Sequence, residues 1–227
     1  GTHFFRHLVA FPNRGAYFDA LRAVERSTDT EKSRPDEVYL PGSPEQQYLM
    51  QTGRTLFKGM EFDELVRLQL DIEVYSREGF PQAKNPDHRI ILVALSDSTG
   101  WSRLVGDPSM SEEEVLRETW DLVKERDPDV IEGHNILGFD FPYLFERCRR
   151  HGIPVDIGRD GSVPRSFPSS MRFAERQLEF PAVEIAGRHV IDTLHQVMAF
   201  DVSRRDLPNY TLKGAAKYFG FAPEGRT

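Results

Sequence analysis

Asp71 and Glu73 stand two residues apart in Val66-Arg67-Leu68-Gln69-Leu70-Asp71-Ile72-Glu73-Val74, a stretch that alternates strictly between apolar and polar side chains. Val66, Leu68, Leu70, Ile72 and Val74 fall on one face, and Arg67, Gln69, Asp71 and Glu73 on the other, which is the period of a strand with one polar face. Positions i and i+2 of a strand lie ~6.6–7 Å apart. Both carboxylates can therefore reach toward one ion, with oxygen ligands at ~2.0–2.1 Å if that ion is Mg²⁺. Two carboxylates this close repel without a cation, which predicts a raised pKa for at least one of them. The same alternation also describes an ordinary strand with a solvated face, and D-x-E alone is a common triplet.

A second candidate is Asn135-Ile136-Leu137-Gly138-Phe139-Asp140, an N-x-x-x-F-D pattern between a short apolar run and a helix-like segment. Asp140 reads either as a helix N-cap, with Pro142 tolerated in the first turn, or as a further acidic ligand. Asn135 alone could close a turn.

The elements that must position these residues follow from the pattern. Val66–Val74 is a strand; Arg89–Ser96 is apolar enough for a central strand; Trp101–Val105 is a third, the three making an antiparallel meander. Ser111 with Glu114 gives a capping box for a helix carrying Leu116, Trp120 and Val123. Val130-Ile131 is a short strand. A helix from Asp140 stops at Gly152 and Pro154. Residues 155–183 read as a hairpin excursion, His189–Ile191 as a strand, and Tyr210–Phe219 as a last short helix. Before all this, Phe4–Phe11 reads as a strand, Ala16 to Arg26 as a helix and residues 27–46 as a loop, with Gln47–Phe57 ambiguous. The sum is an α/β chain: a small N-terminal strand–helix appendage with its lead-in, residues 1–60, and a mixed sheet flanked by helices, residues 61–227, consistent with a ribonuclease-H-like fold.

Composition limits the functions. At 39% hydrophobic and 29% charged residues the chain is an ordinary globular one. It has no run long enough to span a membrane and no signal peptide. Its single cysteine, Cys148, fits a reducing compartment and reads as a buried, inert thiol. A net charge of −7 argues against a protein that grips duplex DNA by charge alone. It does suit a site that gathers carboxylates around metal ions, which then meet phosphate. The first residue is Gly1, so the chain reads as a piece of a longer protein.

Leu68-Gln69-Leu70-Asp71-Ile72-Glu73 followed by Ile131-Glu132-Gly133-His134-Asn135-Ile136-Leu137-Gly138-Phe139-Asp140-Phe141-Pro142-Tyr143-Leu144 resembles the proofreading 3′→5′ exonuclease domain of family B DNA polymerases, of the DEDD (DnaQ-like) superfamily. Gly187–Leu194 and Tyr210–Lys217 resemble the family's segments after its second motif, and Gln47–Met60 its lead-in to the first. The resemblance covers roughly residues 45–227. It implies that Asp71 bridges two Mg²⁺ or Mn²⁺ ions, with Glu73 on one and Asp140 supporting the site. It also implies that Asn135 and Phe139 lie near a single-stranded 3′ end. Val74 stands where the family often has threonine, so a backbone contact to DNA would survive there and a hydroxyl contact would not. Two such metals would serve phosphodiester hydrolysis by activating water and stabilising the leaving oxygen; hard oxygen ligands favour Mg²⁺ or Mn²⁺ over zinc.

The family's third motif, Y-x-x-x-D, is missing: none of the seven tyrosines has aspartate four residues on. The variant H-x-x-x-x-D occurs once, His151 to Asp156, too early in the chain to serve. The motif is expected beyond Thr227, so the site reads as incomplete and turnover as weak or absent. Asp192 could compensate, or simply cap a helix. His134, His189 and His195 lack a metal-ligand spacing and read as satisfied polar or core residues. Arg149-Arg150 and Arg204-Arg205 read as surface charge. The expected partners are a single-stranded DNA 3′ end and the remainder of the protein's own polymerase chain, with no membrane, in the cytoplasm at the nucleoid if the source is prokaryotic. The rival reading is a non-catalytic module that binds single-stranded nucleic acid or docks partners on the same frame; a stand-alone RNA nuclease is a third.

Overall fold

The alternating stretch forms β1 (Arg67–Val74), in the middle of a five-stranded sheet. Leu68, Leu70 and Ile72 are buried, whereas Asp71 and Glu73 are exposed on the opposite face. β2 (Ile90–Asp97) pairs antiparallel with β1, and β3 (Ser102–Val105) antiparallel with β2, as the meander requires. On the other side of β1 runs β4 (Val130–Gly133), parallel to it, and then β7 (His189–Asp192), parallel to β4. The order is β3-β2-β1-β4-β7, with β2 alone running against the rest. A parallel neighbour demands a crossover; α3 (Glu112–Arg126) lies on the path into β4 and α4 (Asp140–His151) on the path toward β7. Boundaries shift by a residue or two from the sequence reading, the third strand beginning at Ser102 and not at Trp101.

The computed structural model of the chain describes residues 9–28, 44–53 and 59–222, in two compact units, Gly1–Met60 and Glu61–Thr227. In the second unit the core lies between the sheet and two helices: Leu68, Val93 and Ile131 from strands, Leu116 and Trp120 from α3, Phe141 and Leu144 from α4. α3 begins with the full capping box: the Ser111 hydroxyl accepts from Glu114 N–H at 3.3 Å, and the Glu114 carboxylate accepts from Ser111 N–H at 2.7 Å. α4 stops where Gly152 takes a left-handed conformation (φ 65°) and donates to the last carbonyls. Cys148 is buried on α4; burial pushes its thiol up to about 11, and Trp120 Nε1 donates to its sulfur at 3.0 Å.

The excursion is a hairpin of β5 (Arg165–Phe173) and β6 (Arg176–Glu184), separate from the main sheet. After β7 come α5 (Thr193–Arg204) and α6 (Leu212–Tyr218), the latter capped by Thr211, so Tyr210 precedes the helix. In the first unit α1 (Arg14–Thr28) begins where the Asn13 side chain accepts from Ala16 N–H at 2.9 Å. α2 (Pro44–Thr52) occupies much of the stretch that pattern left ambiguous and takes the end of the expected loop. Pro44 suits a first helical position because its missing N–H would have no partner there. Of the expected strand Phe4–Phe11, residues 4–8 lie outside the described residues, and residues 9–11 are not in a strand. Among the described residues no helix is long and apolar enough to cross a membrane.

Candidate active site

β4 ends at Gly133, but β1 continues to Val74. Their register pairs Arg67, Leu68 and Gln69 with Val130, Ile131 and Glu132. Past that register, the backbone N–H of Ile72 donates to Asp140 Oδ1 at 3.2 Å. The first residue of α4 thus continues the hydrogen bonding of the central strand, and it does so beside Asp71. Gly133 makes this close approach possible, since a Cβ there would lie 2.7 Å from the Leu70 carbonyl oxygen. Asp140 does not cap its own helix; Phe139 is the residue before the first turn, and it makes no side-chain cap.

The electrostatics of the pair are unfavourable. Burial pushes the Asp140 carboxyl up to about 7, with repulsion from Asp71 as the next cause, partly opposed by the Ile72 N–H. Asp71 is raised as well, through desolvation of its carboxyl, against the lowering effect of His134 and of the Ile72 backbone. The repulsion expected between Asp71 and Glu73 therefore operates across elements, between Asp71 and Asp140. Glu73 is exposed and makes no hydrogen bond or ion pair among the described residues.

The remaining candidates divide. Asn135 is exposed, in a left-handed conformation (φ 68°) that asparagine tolerates. Its carbonyl accepts from Gly138 N–H at 3.0 Å and Phe139 N–H at 2.8 Å, closing the turn that leads to Asp140. Phe139 is half-buried in a row of rings, 5.6 Å from Phe80 and 5.5 Å from Tyr143 between centroids. Val74 packs partly against the core, at a register shift between Glu73 and Val74. Asp192 is buried and is the N-cap of α5, its Oδ1 accepting from Leu194 N–H at 3.0 Å. His195 is buried in contact with the rings of Phe173 and Phe180, and His189 is exposed. His151 bonds Glu112 and Asp156 meets Lys124, so the chance H-x-x-x-x-D pair has no part here. Arg149 pairs with Glu146, and Arg204 lies over the Phe200 ring.

Beside Asp71 an open cleft of about 510 Å³ lies over the sheet, lined among others by Gln69, Asp71, Glu132, His134 and Leu212 but not by Asp140 or Glu73. His134, read from the sequence as a satisfied polar or core residue, has a partner at each ring nitrogen. Its Nε2 is 2.8 Å from the Tyr210 carbonyl oxygen and its Nδ1 3.2 Å from the Thr193 hydroxyl. Phe80, 76% exposed in the loop after β1, is the residue that sequence reasoning passed over. Phe80 gave no signal in the sequence beyond an aromatic between Gly79 and Pro81.

Asp71 and Asp140 fit a hard divalent cation in donor type, and both are raised in pKa in a way that a nearby positive charge would relieve. They do not make a preformed three-ligand cage: among the described residues no group of three or more His, Cys, Asp or Glu could hold a metal ion.

A five-stranded sheet with a single antiparallel member, and carboxylates where the central strand meets a helix, define a ribonuclease-H-like α/β domain of the exonuclease type. Residues 107–214 match the model for the exonuclease domain of DNA polymerase family B. The chain is 35% identical over 176 residues to DNA polymerase 1 of Pyrococcus abyssi, covering 73% of this chain and 20% of that one. It is 31% identical over 210 residues to a DNA polymerase of Thermococcus sp. (strain 9oN-7), covering 87% of this chain and 25% of that one. Among solved structures, the family B DNA polymerase from the hyperthermophilic archaeon Pyrobaculum calidifontis matches with a TM-score of 0.53 and 31% identity, over 69% of this chain and 18% of that one. The chain carries an exonuclease domain of the family B DNA polymerases. It spans between a fifth and a quarter of the length of these two polymerase relatives.

Proposed function

We propose that the second unit removes nucleotides from the 3′ end of single-stranded or frayed DNA, hydrolysing the terminal phosphodiester to proofread for a polymerase of which it is one part. The observation that carries this reading is the Asp71–Asp140 pair: two carboxyls raised in pKa, fixed by the Ile72 N–H where the central strand meets α4. Asp71 and Asp140 would hold Mg²⁺ or Mn²⁺, with Glu73 two residues along the same face. When bound, the metal supplies an activated water and charge relief at the leaving oxygen. The chain's own residues do the placing. Asn135 and the Phe80–Phe139 rings offer an amide and aromatic faces beside the carboxylates, and bases stack on such faces with little regard to sequence. Within the 227 residues no Y-x-x-x-D adds a further carboxylate and tyrosine, so turnover by this chain is expected to be slow.

The test is a 5′-labelled single-stranded oligonucleotide, as DNA and as RNA, incubated with the chain and Mg²⁺ or Mn²⁺. Metal-dependent shortening from the 3′ end of the DNA is expected, reduced on the order of 100-fold or more by Asp71→Asn, with DNA binding retained. Hydrolysis that survives Asp71→Asn would overturn the assignment. DNA binding with no hydrolysis, and no response to Asp71→Asn, would favour the non-catalytic module; preference for the RNA would favour an RNA nuclease.

A further inference from the structure

We propose that Asp192 is a positioning residue that sets where Asp140 and Asn135 stand, an inference that rests on the exonuclease reading of the site. The carboxylate is buried, yet it faces no cationic side chain among the described residues. Its oxygens accept instead from three backbone N–H groups. Oδ1 takes Leu194 at 3.0 Å and Asn135 at 2.9 Å, and Oδ2 takes Leu137 at 3.1 Å. Only the first of these is helix capping. The other two reach across from the end of β7 to the loop between β4 and α4.

From there a chain of backbone bonds runs to the site. Asn135 is fixed through its N–H, and its carbonyl holds Gly138 and Phe139; the Ile136 carbonyl accepts from Phe141 N–H at 2.9 Å. Phe139 immediately precedes Asp140, whose carboxylate then meets Ile72. The neighbouring Thr193 hydroxyl lies 3.2 Å from the Gly133 carbonyl and adds a second clasp on the same loop. A helix cap needs one acceptor. A carboxylate that binds two loop amides as well, 55 and 57 residues away in sequence, does more than cap.

Asp192→Ser separates the two roles, because serine is as good an N-cap but its single short hydroxyl cannot also reach Asn135 and Leu137. Amide hydrogen exchange is the first readout. In Asp192→Ser, Leu194 is expected to keep its protection while Asn135, Leu137 and the reporter Ile72 lose it. Mn²⁺ titration of the chain is the second, with affinity expected to fall about 10-fold or more, as for other groups that orient a metal ligand. Asp192→Asn, which keeps one oxygen, is expected to fall between. Wild-type exchange at Ile72 in Asp192→Ser, or lost protection with unchanged Mn²⁺ affinity, would overturn the proposal. If the unsubstituted chain binds no Mn²⁺, the exonuclease reading fails on its own, and exchange at Ile72 alone decides for or against Asp192. If Asp192→Ser does not fold, the same amides are read in Asp192→Asn.

Discussion

Two buried carboxylates sit at the first turns of two neighbouring helices, and their environments are opposite. Glu112, at the start of α3, accepts from Arg147 Nε at 2.7 Å, from a second Arg147 nitrogen, from His151 Nε2 at 2.8 Å and from the Ile90 N–H at 2.8 Å. Desolvation works against its charge, but these bonds outweigh it and hold its carboxyl below the usual range. Asp140, at the start of α4, is equally buried, yet meets one backbone N–H and faces another acid, and its carboxyl is driven up to about 7. Burial alone therefore does not mark a functional group. Glu112 is satisfied and ties α3 to α4 and, through Arg147, to the carbonyls of Ala83 and Asn85 in the loop after β1. Asp140 is held in place while its charge stays unfavourable, so a cation bound beside it would favour its ionised form.

The largest expected effect comes from breaking the satisfied side. Arg147→Met leaves Glu112 buried without its main partner and frees the loop carbonyls. Removing one member of a buried pair costs about 3–5 kcal/mol, so a marked drop in the urea midpoint at pH 7 is expected. A loss within the range of a surface pair would show that the network is decorative.

The second effect sharpens the contrast through pH. The folded pKa of Asp140 lies above the ordinary unfolded value, so the native state binds the extra proton. Its cost is absent below about pH 4, grows as pH rises toward about 7 and is complete above that, at up to about 1.4 kcal/mol per pH unit. Glu112 has the opposite sign: its contribution is present above the unfolded pKa and is lost as pH falls through the lowered folded one. Asp140→Asn is therefore expected to be more stable than the unsubstituted chain at pH 8, by a few kcal/mol, and no more stable at pH 4. Mg²⁺ or Mn²⁺ at 100 times its dissociation constant should raise the unsubstituted chain at pH 8 by about 2.7 kcal/mol and leave Asp140→Asn nearly unmoved. Unfolding curves at the two pH values, with and without metal, measure all of this; an Asp140→Asn variant less stable at pH 8 would remove the electrostatic half of the comparison.

What the sequence displayed of this arrangement depended on distance along the chain. The alternation of β1, the Ser111–Glu114 capping box and the Gly152 stop are local, and each stands within a residue or two of where pattern put it. The antiparallel meander was legible from three strand patterns in succession, although only the turn between β2 and β3, residues 98–101, is short. The Asp140–Ile72 bond joins residues 68 apart and the Glu112–Arg147 pair residues 35 apart, and both exist only after the parallel crossover has folded. No periodicity encodes such bonds. Asp71 and Asp140 were named from their motifs, but their mutual repulsion, and the binding of Asn135 by Asp192, follow from the way β4 ends between β1 and β7. α2 escaped the pattern for another reason: Pro44-Glu45-Gln46-Gln47-Tyr48-Leu49-Met50-Gln51-Thr52 has few apolar positions from which to read a period.

The smallest effect decides which partner of Glu112 matters. His151 is 31% exposed and Arg147 only 3%, although both lie within hydrogen-bond distance of the same carboxylate. Solvent already competes for the imidazole, while the guanidinium is dry and contacts both oxygens of Glu112. His151→Gln keeps a side-chain donor and leaves the Arg147 contacts whole, so its cost should stay under about 1 kcal/mol, the scale of a solvent-exposed pair. Its urea midpoint should sit close to that of the unsubstituted chain and far above that of Arg147→Met. If the two variants lose comparable stability, the cluster is a three-membered unit, and the simple opposition between one cation-paired acid and one acid without a cation no longer describes it.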